Sequence, residues 1–161
     1  MYKRQALEKG LAVCREWDIP YWIHWITARL GYAYAFLGRR EEAASLLEMA
    51  AKHAAATQFV PGYSQGLAWL GEVYLHADRT DEAREAGTSA LDHARRHGER
   101  GIEAWARRLL GEVASQTDGP ARATGDALYH QAIALAIELG MRPLVAHCHL
   151  GLGTLHRKIG R

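Results

Sequence analysis

The chain has 161 residues, 48% of them apolar and 24% charged, a balance that folds in water and lies far from that of a disordered segment. Twenty Lys and Arg against 18 Asp and Glu leave a formal charge of +2, too even for a surface built to grip nucleic acid or an anionic membrane. Cys14 and Cys148 lie far apart and supply neither a disulfide framework nor a Cys-x-x-Cys metal pair, and no apolar run approaches the roughly 18 residues of a membrane span. The expectation is a soluble cytoplasmic chain that contacts no membrane.

The first predicted element is a helix over 3–16. Two helices follow, at 21–37 and 40–57: Pro20 suits the first turn of the former, and Gly38-Arg39-Arg40 reads as the tight turn between them. The second carries Ala43, Leu46, Leu47, Ala50, Ala51 and Ala54, which is one helical stripe. Helices over 62–77 and 80–97 repeat the plan after Pro61. Asp78-Arg79-Thr80 forms the turn, Ala83, Ala86, Gly87, Ala90, Leu91 and Ala94 form the stripe, and Asp81, Glu82, Arg84, Glu85 and Asp92 face outward. A third pair spans 102–116 and 124–139, with Gly101 in the place of the proline and a looser connection from Ser115 to Gly125 around Asp118, Gly119 and Pro120. A last helix, 143–158, opens on Pro143.

A fixed period underlies these elements. Leu-Gly pairs occur at Leu30-Gly31, Leu70-Gly71, Leu110-Gly111 and Leu152-Gly153, with the glycines 40, 40 and 42 residues apart. Twenty-one residues before each stands a small residue, Gly10, Ala50, Ala90 or Ala132, and four residues later another: Cys14, Ala54, Ala94 or Ala136. Small residues on facing surfaces let two helix axes approach where large side chains would hold them apart, so each repeat is a pair of packed helices, A and then B. The predicted fold is all-α, an α-solenoid of antiparallel helix pairs in a single array over 1–161. It comprises an orphan B helix at 3–16, repeats at 21–57, 62–97 and 102–139, and an orphan A helix at 143–158. Because Leu150, Leu152 and Leu155 would lack a covering neighbour, the chain is expected to be an excerpt of a longer array, in which Met1 to Gln5 need not be native.

The Leu-Gly-x-x-Tyr core with Tyr34 and Tyr74, and the Ala-x-x-x-Leu-x-x-Ala spacing of Ala43, Leu47 and Ala50, resemble the tetratricopeptide (TPR) pattern over nearly the whole chain. The chain departs from it in its period of about 40 rather than 34 residues, and in Thr27, Leu67, Arg107 and His149 where the family often has Trp. The segment Ala134 to Gly153, with Glu99-Arg100-Gly101 and Glu103-Ala104-Trp105, is similar to the C-terminal helical-repeat region of bacterial signalling proteins that join a class III adenylate or guanylate cyclase domain to an ATPase module. The resemblance implies a right-handed superhelix and a regulatory role. No GxxxxGK[ST] phosphate loop is present, so it carries no nucleotide chemistry to any residue here.

In such arrays helix A lines the concave groove. Counting from each repeat glycine places Trp25, Tyr32, Phe36, Gln65, Glu72, His76, Trp105, Arg108, Glu112 and His147 on or near it, as a candidate protein-binding surface in which aromatic rings supply rigid contact area and a Glu and Arg pair supplies orientation. The bland reading of Trp22, Trp25 and Trp105 is that they fill space between successive A helices. The Lys, Asn and Arg clamp with which some family members grip a C-terminal carboxylate is missing, since its places hold Ala28, Tyr32, Trp69, Trp105 and Leu109. His93 and His97 have the i, i+4 spacing of a metal pair but lack a third ligand, and the neighbouring side chains of His147-Cys148-His149 splay apart on a helix. No nucleophile and oriented base are recognisable. The expectation is therefore a non-catalytic scaffold, without cofactor or metal, whose partner is a protein or peptide segment, including other domains of its own parent. The alternative is the helical arm of a transcriptional regulator that uses Arg95, Arg96, Arg100, Arg107 and Arg108 on nucleic acid, although Glu99, Glu103 and Glu112 are interleaved with them.

Overall fold

The computed structural model describes residues 2–56, 62–117 and 121–158, which form eight helices and no strand. They are α1 (Tyr2–Glu16), α2 (Pro20–Phe36), α3 (Arg40–Ala56), α4 (Tyr63–His76), α5 (Thr80–Arg96), α6 (Arg100–Gln116), α7 (Ala121–Glu138) and α8 (Arg142–Lys158). The protein is all-α. Pro20 occupies the first turn of α2, where a missing N–H removes no helical bond. Pro61 lies outside the described residues.

The turns share one device. A residue in the left-handed region closes α1, α2, α4, α5 and α7: Asp18, Gly38, Asp78, Gly98 and Gly140. In each, the next amide reaches back to a carbonyl five residues earlier, as in Arg39 to Tyr34 at 3.1 Å, Arg79 to Tyr74 at 2.9 Å and Met141 to Ala136 at 2.8 Å. This bond satisfies a carbonyl that the helix end would leave orphaned.

One expectation needs correction. The end of α6 at Gln116 is as expected, but α7 begins at Ala121 rather than at 124, so the connection is shorter than the expected Ser115 to Gly125; Asp118, Gly119 and Pro120 lie outside the described residues. Gly125 is a packing residue within α7: a Cβ there would lie 3.1 Å from the Gly111 oxygen and 3.2 Å from Ala114 Cβ, so its bareness lets α6 and α7 close on each other.

Each helix packs on its neighbours in the chain. In addition α2 meets α4, α4 meets α6 and α6 meets α8, while α3, α5 and α7 make no contact with one another. The stripe residues Ala83, Ala86, Ala90 and Ala94 are buried, as are Ala43, Leu47, Ala50 and Ala54, and the interior falls into three apolar clusters spread along the chain. The even-numbered helices therefore form a continuous row, and that row carries the site.

Candidate functional site

The row is built from side chains that reach across the contacts between α2, α4, α6 and α8. Tyr32 of α2 stacks on Trp69 of α4, with ring centroids 4.4 Å apart and planes 10° from parallel, and Phe36 meets the edge of Tyr32 at 4.8 Å. The Tyr32 hydroxyl donates to Glu72 Oε2 at 3.4 Å. Glu72 in turn is ion-paired with Arg108 of α6, which also holds Glu112 at 2.7 Å and lies 5.1 Å from the Trp105 ring centre. Trp105 continues to His147 of α8, 6.1 Å away. A chain of aromatic and charged contacts thus crosses all four helices.

Burial sets the electrostatics. It is the largest influence on Glu72 and holds that carboxyl above its ordinary value despite Arg108. Burial also pulls on Arg108, but the charges of Glu72 and Glu112 outweigh it and the guanidinium binds its proton more tightly than usual. The Tyr32 phenol is pushed up to about 12, first by burial and then by the facing carboxylate of Glu72. The Glu72 and Arg108 charges are thereby committed to each other within the protein.

Two cavities open along the row. One, of about 220 Å³, is walled by Tyr32, Gln65, Ala68, Trp69, Glu72, Ile102 and Trp105. The other, of about 240 Å³, lies between α6, α7 and α8 and includes Arg108, Glu112, Tyr129, His147 and Lys158. Of the candidates named from sequence, Tyr32, Gln65, Glu72 and Trp105 line the first cavity, and Arg108, Glu112 and His147 line the second. Phe36 is largely exposed beside Tyr32, His76 is exposed at the end of α4, and Trp25 lines neither, packing instead against Arg29, Trp22 and the backbone at Gly62. Trp69 and Arg29 were missed, although Arg29 Cζ stands only 3.2 Å from the Trp25 ring centre and 5.7 Å from that of Trp69.

Chemistry elsewhere is sparse. Burial pushes the Cys148 thiol up to about 11, which leaves it a packed, inert group. The His93 and His97 rings stack at 4.1 Å, and among the described residues no group of three or more His, Cys, Asp or Glu is placed to hold a metal ion. No helix among them is long and apolar enough to cross a membrane. Of the five arginines expected as a basic patch, Arg95 and Arg107 share Glu103, Arg100 is paired with Glu138, and Arg108 with Glu72 and Glu112.

No family model matches the chain, and no curated protein matches it significantly.

Proposed function

We propose that this chain is a TPR-like α-solenoid, a non-catalytic scaffold that holds a protein or peptide segment along the α2, α4, α6 and α8 row. The observation that carries this reading is the stack of Tyr32 on Trp69 beside the Trp105-walled cavity: rigid aromatic rings, incompletely buried, concentrated on one row of helices, as at interface hot spots. The forty-residue spacing of the Leu-Gly pairs and the row of A helices support the solenoid assignment. We read the natural setting as the cytoplasmic, C-terminal repeat region of a bacterial cyclase and ATPase signalling protein, where a captured segment of the same protein would bias an attached catalytic domain. Commitment of four of the five patch arginines to carboxylates favours a protein partner over nucleic acid.

Calorimetric titration of the chain with the remaining domains of its parent protein tests the reading. Micromolar binding that falls at least about tenfold in Tyr32→Ala and in Trp105→Ala is the expected result. Binding untouched by both substitutions would place the interface elsewhere and sink the proposal.

A further inference from the structure

Arg29 of α2 is set apart from Arg108 of α6. Arg108 is neutralised by two carboxylates, whereas Arg29 has no acidic partner among the described residues. Its guanidinium carbon lies 3.2 Å from the centre of the Trp25 ring and 5.7 Å from that of Trp69, and Nη1 donates to the Trp25 carbonyl oxygen at 3.4 Å. A guanidinium carries five N–H donors in a fixed fork, so most of this one is left to an outside acceptor. Partial burial lowers the Arg29 pKa from its ordinary value, as expected of a cation removed from water without a counter-charge.

Trp69 links this cation to the cavity of about 220 Å³ that it walls with Tyr32, Ile102 and Trp105. That volume is below the roughly 300 Å³ at which pockets for whole small molecules begin, and it suits one apolar side chain.

We propose that this part of the row binds an acidic peptide segment, in which an Asp or Glu carboxylate pairs with Arg29 and a neighbouring apolar side chain enters the cavity between Tyr32, Trp69 and Trp105. The inference rests on the row being an interaction face and adds the chemistry of its partner. One guanidinium fork matches one carboxylate, while a phosphate dianion calls for a cluster of cationic groups. Trp25 holds the fork in place before binding, so pairing orders little that is not already ordered. The anchor differs from the family's Lys, Asn and Arg clamp, whose places here include Ala28 and Tyr32 on either side of Arg29 in sequence.

A phage-displayed library of random twelve-residue peptides, selected on the full chain, supplies the probes. Synthetic copies of the enriched clones are then measured by fluorescence anisotropy. Enriched clones should carry Asp or Glu beside an aromatic or aliphatic residue, and changing that acid to its amide should weaken binding about tenfold. Arg29→Gln should weaken the acidic clones by a similar factor and leave the amide versions unchanged, with Arg29→Lys recovering part of the loss. The comparison of acid with amide needs no variant protein, so it stands even where Arg29→Gln folds poorly. Clones that bind, weaken with Trp105→Ala and show no acidic preference would overturn the Arg29 anchor and leave the interaction face intact. Failure to enrich any clone would overturn both.

Discussion

Tyr74 of α4 donates a 2.7 Å hydrogen bond to Glu48 of α3, and forty residues earlier Tyr34 of α2 does the same to Glu8 of α1 at 2.8 Å. Each phenol ring also carries an arginine from the following turn, Arg79 at 4.1 Å and Arg39 at 4.2 Å. The bond ties the B helix of one repeat to the A helix of the next. Tyr74→Phe keeps the ring and its arginine but removes the donor to Glu48, which still faces Arg79 and water, and should cost about 1 kcal/mol in urea unfolding at neutral pH. If Tyr74→Phe and Glu48→Ala prove additive in a double-mutant cycle, the bond contributes nothing to stability.

The repeat glycines should respond oppositely to alanine. At Gly31 a Cβ would stand 2.9 Å from Leu47 Cγ, 3.1 Å from the Ala43 oxygen and 3.1 Å from Leu46 Cβ, none of them the free end of a flexible chain. Gly31→Ala should force α2 from α3 and cost about 1–3 kcal/mol. Gly153 holds the same place in α8, yet nothing lies within 4 Å of its added Cβ. There alanine only improves helix propensity, and Gly153→Ala should stabilise by up to about 1 kcal/mol. Equal thermal shifts for the two variants would show that Gly31 is not a packing residue.

Alkaline unfolding should begin near pH 10. Burial pushes both Tyr32 and Tyr129 up to about 12, Glu72 adding to it for Tyr32 and Glu112 for Tyr129. Below about pH 10 both folded and unfolded chains keep these phenols protonated, and the stabilisation is fully present. Between about 10 and 12 only the unfolded chain ionises them, so stability falls by at most about 1.4 kcal/mol per phenol for each pH unit. Tyr32→Phe and Tyr129→Phe should each flatten that decline in urea titrations across the range. Slopes identical to wild type would mean that neither phenol is held neutral.

The helices and their phase were legible because close packing demands small residues at fixed intervals: Gly31, Gly71 and Gly111 each face the next helix, against Leu47, Ala83 and Tyr129. The start of α7 was set three residues late because a glycine at a packing contact, as Gly125 is, and a glycine in a loop look alike in sequence. The bond of Tyr74 to Glu48 joins residues 26 apart, a separation to which neither helical nor strand periodicity is sensitive. Counting from the glycines placed Tyr32, Glu72 and Trp105 on the row but passed over Arg29 and Trp69. Whether a long or flat side chain lies along a face or leaves it is decided by rotamer and by the helix opposite, and spacing records neither.

The pairing of Arg108 with Glu72 makes a pH-dependent prediction. The two side chains are 11% and 17% exposed, so removing the cation leaves a carboxylate that water reaches poorly. Arg108→Met keeps most of the bulk and should cost about 3 kcal/mol near pH 8. Burial already raises the Glu72 pKa in the wild type, and losing Arg108 raises it further. The folded variant then binds a proton that the unfolded chain has released, so its stability falls as pH climbs above the ordinary carboxylate value. Near pH 4 or below, where Glu72 is largely protonated in both states, the variant should approach the wild type, and Glu72→Gln added to Arg108→Met should recover most of the loss near pH 8. Urea unfolding of the three proteins at the two pH values checks this. A deficit of the same size at both would assign the role of Arg108 to packing over Trp105 rather than to its charge.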